Sequence, residues 1–231
     1  MLFGDSHAAQ WFPAVDRLAK EHHWKLVSMT KSSCKVSAVT TVYQGKPYVS
    51  CDQWRTKQLA RIRSLHPALV IASSSDAADL ARPSGDPRRQ WTDGFKRTFR
   101  ELVRSGAEVL AIVDTPWPKG DAVDCAGTHP RELERCASDV GDAVKDPGKK
   151  REITDGAAAT GVSVIDPLPW LCGTGGCPVV VGDTFVYRDD SHLTESYAEA
   201  LAPVLGREMT ALYGADLPRH PGRVTESPAG R

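Results

Sequence analysis

The chain has 231 residues, 41% hydrophobic and 25% charged, which is enough to bury a substantial core as one domain without the staples a mini-protein needs. Its 29 basic residues balance 29 acidic ones, so there is no global field to hold a polyanion or an acidic membrane surface, and small neutral or mixed-charge partners fit better. No run of about 18 apolar residues occurs, and the N-terminus lacks the basic-then-apolar pattern of an export signal.

In chain order, short apolar runs alternate with amphipathic stretches. The first run, Leu2-Phe3, stops at Gly4 and gives way to a helix whose buried face is Trp11, Val15, Leu18 and Ala19. Residues 25–29 read as a second strand, followed by a helix carrying Leu59, Ile62 and Leu65. A third strand at residues 68–72 leads to a helix with Phe95, Phe99, Leu102 and Val103 on one face. Strands at residues 108–113 and 162–165 come next, and a final helix spans residues 194–212. Strands separated by helices predict a three-layer α/β/α, doubly wound sheet of about five parallel strands, with ligands beyond the carboxyl ends of the strands. The expected domain is residues 1–213. The Pro-, Gly- and Arg-rich tail at residues 214–231 is expected to be disordered.

Six cysteines form three close pairs, Cys34 with Cys51, Cys125 with Cys136, and Cys172 with Cys177. Each pair brackets loop-like sequence that few apolar residues would hold, which predicts three local disulfides and an oxidising compartment. Other pairings and a set of reduced thiols stay open at this point. Zinc is disfavoured because no Cys-x-x-Cys pair is present, and no metal or cofactor is expected.

Two motifs carry chemistry. Gly4-Asp5-Ser6-His7 sets a serine hydroxyl at a helix N-terminus, where unpaired N–H groups and the helix dipole stabilise an oxyanion; the bland alternative is an ordinary Ser or Asp cap. Near the other end, Asp189 and His192 stand three apart just before the last helix. That spacing lets the carboxylate hold Nδ1 of the imidazole and leaves Nε2 free for a serine proton, against the alternative of a solvated surface pair. Asp190 lies too close along the chain to be preferred. His7 is adjacent to the serine, and neighbouring helical side chains diverge, so a supporting or surface role is expected for it.

Together these residues resemble the SGNH hydrolase family, in particular the SGNH domain fused to the C-terminus of acyltransferase-3 membrane proteins. The resemblance extends through Leu2-Phe3-Gly4-Asp5-Ser6-His7-Ala8-Ala9-Gln10-Trp11, Thr30-Lys31-Ser32-Ser33-Cys34, Asp114-Thr115-Pro116-Trp117-Pro118 and Asp189-Asp190-Ser191-His192-Leu193-Thr194. It implies a flavodoxin-like fold, Ser6 as nucleophile, His192 as base and Asp189 as its orienter. It also implies transfer or hydrolysis of an acyl ester on a cell-envelope carbohydrate, with an acylated donor and a glycan acceptor. Such a domain is extracytoplasmic and tethered through an upstream acyltransferase-3 transmembrane domain, so the natural polypeptide is expected to continue before Met1.

The family pattern is broken where oxyanion donors are expected. Ser73-Ser74-Ser75-Asp76 stands in place of Gly-x-Asn-Asp, which puts Ser75 at the Asn position, and Ser33 offers the nearest backbone N–H besides that of Ser6. Losing one such donor costs roughly 10²- to 10³-fold in known cases. Trp117, between Pro116 and Pro118, is the tryptophan expected to line the substrate side. The rival reading is a non-catalytic glycan- or partner-binding domain with a vestigial site.

Overall fold

The apolar runs pair into one parallel sheet of five strands: β1 (Leu2–Gly4), β2 (Ser28–Thr30), β3 (Leu69–Ser73), β4 (Glu108–Ile112) and β5 (Ser163–Ile165). Their order is β2-β1-β3-β4-β5, and every pairing is parallel. The computed structural model describes residues 1–214, so the tail expected at residues 214–231 lies outside the described residues apart from Gly214. The second strand starts three residues later than the sequence implies. Leu2 draws Val27 in only through its backbone carbonyl, 2.9 Å away, before regular pairing starts at Ser28.

Strands covered on both faces read as continuous apolar runs, and all five residues of β3 are buried. Alternation divides them between two cores. Leu2, Ile71, Leu110, Ile112 and Ile165 point to one face, beneath α2 (Phe12–Glu21) and, near the C-terminus, α7 (Glu195–Ala200) and α8 (Ala202–Tyr213). Phe3, Val70, Ala72, Val109 and Ala111 point to the other, beneath α3 (Val49–Leu65), α4 (Pro87–Val103) and α6 (Pro147–Ala158). The short helices α1 (Ser6–Ala9) and α5 (Ala122–Thr128) lie in the connections. Three layers result, as the alternation predicts, and among the described residues no helix is long and apolar enough to cross a membrane.

The departures have local causes. Leu65 and Val103 are 49% and 41% exposed, because each is the last residue of its helix and has turned out of the core. The single C-terminal helix is broken at Leu201, since Pro203 in the next turn supplies no N–H to continue the ladder. Helix α6 escapes periodicity altogether. Its buried face is Glu152, Ile153, Gly156 and Ala157, with only two apolar side chains among the four.

All six cysteines are paired as consecutive neighbours: Cys34–Cys51, Cys125–Cys136 and Cys172–Cys177. The first bond ties the loop after β2 to the first turn of α3. That loop then crosses α4 at Gly94, where Ala38 N donates to the Gly94 carbonyl at 3.1 Å and Ser37 Oγ donates to the Trp91 carbonyl at 3.0 Å.

A Cβ at Gly94 would collide with Ser37 Oγ and crowd Val39. In an open helix Gly→Ala stabilises by up to about 1 kcal/mol. Here Gly94→Ala is expected to destabilise by about 1–3 kcal/mol, because the loop is fixed on both sides of the clash. Urea unfolding checks this: the midpoint should fall with an unchanged slope, and a rise would mean that the loop yields freely.

Candidate active site

The site begins with a backbone constraint. Gly4 ends β1 at φ 148°, and a Cβ there would run into the Ser73 carbonyl of β3, so glycine is required where the strand turns away. Asp5 then caps α1, its Oδ1 accepting from His7 N at 2.9 Å. Ser6 is thereby presented in the first turn of α1, beyond the carboxyl end of a strand flanked by β2 and β3.

The partner residues arrive from the other end of the chain. Arg188 N donates to the His192 carbonyl at 2.9 Å, closing a turn, and Thr194 caps α7 by accepting from Tyr197 N at 3.2 Å. Within the turn the Asp189 carboxylate accepts from His192 N at 2.7 Å and Ser191 N at 2.9 Å. His192 Nδ1 lies 2.9 Å from Asp189 Oδ2, and His192 Nε2 lies 2.8 Å from Ser6 Oγ. A carboxylate accepts only, so Nδ1 carries the proton and Nε2 is left to accept from the serine. Asp190 is exposed and accepts from Ser191 Oγ at 3.1 Å.

Gln10 locks the two ends together, and nothing in the sequence singles it out. Its Oε1 accepts from Leu193 N at 2.9 Å, while its Nε2 donates to Thr115 Oγ1 at 3.2 Å. Burial raises the Asp189 pKa, but the hydrogen bonds from His192 and Ser191 and the nearby imidazole outweigh it and hold the carboxyl below its ordinary value. His192 is lowered, first by desolvation and then by the charge of His7, with Asp189 opposing.

Two buried ionic clusters flank this line. Asp5 Oδ2 accepts from Lys35 Nζ at 2.8 Å, and both Asp5 oxygens lie 3.2 Å from Ser75 N. Lys35 also donates to Ser75 Oγ. On the other side His7 Nδ1 lies 2.6 Å from Asp114 Oδ1, with both side chains almost fully buried. Asp114 further accepts from Thr115 N, Asp76 N and Trp117 Nε1, each at 2.9 Å. Of the two roles expected for His7, burial excludes the surface one and leaves the supporting one: a four-residue helix wedged beyond the sheet leaves no solvent side for it.

The expected oxyanion donors besides Ser6 come from two other connections. Ser75 is tied to Asp5 and Lys35, one residue before Ser6. Ser33 sits in the left-handed region at φ 57° in the turn closed by Cys34 N and the Lys31 carbonyl, with no hydrogen bond to Ser6 or His192. Trp117 is half-buried, stacks on His7 at 5.4 Å between ring centres, and has Lys145 Nζ 4.9 Å from its ring centre.

Fold and site together define an α/β domain of the SGNH kind, with a serine at the end of a central strand and an Asp-x-x-His pair folded back onto it. The family model described as SGNH domain (fused to AT3 domains) matches residues 1–207, and the chain belongs to that family. Membership supports acyl transfer or ester cleavage as the general chemistry. Among solved structures, the chain is similar to one titled "Structure of Salmonella ser. Paratyphi A lipopolysaccharide acetyltransferase periplasmic domain". The TM-score is 0.69 and the identity 16%, over 90% of this chain and 81% of that one. No curated protein matches the chain by sequence.

Asp76 gives a stability signature. Desolvation and then the neighbouring Asp114 charge push its pKa up to about 8, against Lys149. The folded state thus keeps a proton that the unfolded state releases above 3.8, so this group's contribution weakens as pH rises between 3.8 and about 8. Asp76→Asn stays neutral throughout. Its Tm is expected to match wild type near pH 4 and exceed it by a few degrees near pH 8; equal Tm values at both would show an ionised Asp76.

Proposed function

We propose that this domain transfers or hydrolyses acyl esters of a cell-envelope carbohydrate through an acyl-Ser6 intermediate. The reading is carried by the unbroken line from Asp189 through His192 to Ser6, with contacts of 2.9 and 2.8 Å. His192 Nε2 takes the hydroxyl proton as Ser6 Oγ attacks the acyl carbonyl, and Asp189 stabilises the imidazolium that forms. Collapse of the tetrahedral intermediate returns that proton to the leaving oxygen. Water or a sugar hydroxyl then repeats the sequence on the acyl-enzyme, with His192 taking its proton.

The negative oxygen would be met by Ser6 N–H at the start of α1, with Ser33 N–H and the Ser75 hydroxyl as further donors. Lys35 occupies a lone pair on Ser75 Oγ and leaves its hydroxyl proton to be donated elsewhere. The exposed edge of Trp117 would border the substrate. Carbohydrate and an extracytoplasmic setting are supported by the likeness to a lipopolysaccharide acetyltransferase periplasmic domain and by three disulfides. The family description supports an AT3 membrane domain as the partner that supplies the acyl group and tethers the domain.

A fluorophosphonate probe tests the reading. It should label Ser6 and fail on Ser6→Ala, whereas a folded wild-type protein that takes no label would favour the binding-domain alternative. Asp189→Asn should slow labelling by about 10²- to 10⁴-fold at unchanged Tm; labelling near the wild-type rate would remove Asp189 from this role. Because His192 is held below the ordinary 6.5, the wild-type labelling rate should persist below pH 6.5 and fall only in more acidic buffer. A rate already halved above pH 6.5 would contradict that electrostatic assignment.

A further inference from the structure

The reaction scheme leaves a second imidazole unused inside the site. The His7 side chain is 3% exposed, and its ring centre lies 4.6 Å from that of His192, with the planes tilted by 49°. Its partner Asp114 is 2% exposed and accepts from three donors besides His7: Thr115 N, Asp76 N and Trp117 Nε1. Four donors on one carboxylate favour its ionised form, and an anion enclosed beside an imidazole favours a proton on that ring. His7 Nδ1 gives its proton to Asp114 across 2.6 Å.

We infer that His7, kept cationic by Asp114, is a positioning residue that holds His192 in its neutral, proton-accepting form in acidic surroundings. Asp189 at 2.9 Å draws a proton onto His192, as the orienting carboxylate of any such line must. His7⁺ at ring-contact distance opposes it, and Arg188 on the same turn adds to the opposition. Around His7 itself, desolvation favours the neutral ring, but the Asp114 charge and hydrogen bond, aided by Asp5 against Lys35, outweigh it and raise its pKa. Asp76, pushed to about 8, adds no charge to this cluster in acid. The site thus holds two carboxylate–imidazole pairs whose rings touch, one proposed to move protons and the other to keep its own.

This inference rests on the proposed role of His192 only for its catalytic consequence, and its first test needs no activity. In the full 231-residue protein labelled with ¹⁵N-histidine, both ring nitrogens of His7 should be protonated at pH 6.5, where an ordinary exposed histidine is half neutral. A neutral His7 at that pH overturns the inference without any variant. In His7→Gln, where Asp114 is left uncompensated, the His192 titration midpoint should move up by about one pH unit. The double variant His7→Gln/Asp114→Asn should move it less. An unmoved midpoint in folded His7→Gln also overturns the inference. In the labelling assay, the ratio of the rate at pH 5.5 to that at pH 8 should fall by up to about tenfold in His7→Gln. An equal loss at both values would reduce His7 to a structural role and defeat the inference. If wild type shows the expected titrations yet takes no label, the catalytic reading fails while the charge pair stands.

Discussion

The carboxylate of Asp5 is almost completely enclosed, and the loops above the sheet are organised around its need for donors. An enclosed charge persists only when it is paired and hydrogen-bonded. Asp5 meets the requirement with His7 N from its own helix, Lys35 Nζ from the connection after β2, and Ser75 N from the connection after β3. Two chain segments that are distant in sequence are therefore fixed to the residue before Ser6. Lys35 is itself held from behind: Arg55 donates to its carbonyl at 3.0 Å, and the adjacent Cys34 is bonded to Cys51 on the same helix. The disulfide thus does more than close a loop. It keeps an ammonium group in position under the turn that presents the serine.

The three acid–base pairs of the site differ in what their surroundings demand. Asp5–Lys35 joins two enclosed groups of opposite formal charge at 2.8 Å, which suits a scaffold. Asp114–His7 is enclosed and held by donors to the anion, which suits a fixed charge. Asp189–His192 is the most open of the three, its side chains 36% and 20% exposed. A group that must gain and lose a proton needs a route to solvent or substrate, and only this pair has one. The proposed division of tasks among chemically similar pairs thus follows a gradient of exposure across a few residues.

The sheet was legible because parallel strands buried on both faces read as apolar runs, and β3 and β4 do so except for Ser73 and the exposed Glu108 at their ends. Gly4-Asp5-Ser6-His7 and the Asp189–His192 spacing were legible because both are local: a tight turn and an i, i+3 contact need no knowledge of the rest of the fold. What could not be read depends on distant partners. Lys35 looks like any surface lysine until Asp5, 30 positions away, is placed beside it. A surface place for His7 stayed open in the sequence because the divergence of neighbouring helical side chains says nothing about what covers a four-residue helix. Helix α6 stayed hidden because Glu152 and Gly156 occupy half of its inward face, so no apolar stripe was written. Gln10 was visible only as a letter in the motif, since its two partners come from Thr115 and Leu193.

The order of the cysteines has a consequence for biosynthesis. Each bonds to the next one along the chain, across separations of 17, 11 and 5 residues, and no loop encloses another. When a polypeptide enters an oxidising space from its N-terminal end, every second cysteine to arrive finds a single free thiol waiting, and that thiol is its native partner. For these six thiols, order of arrival alone then favours the native pairing among the fifteen possible. Refolding the fully reduced chain all at once removes that sequence of arrivals and exposes all six thiols to one another.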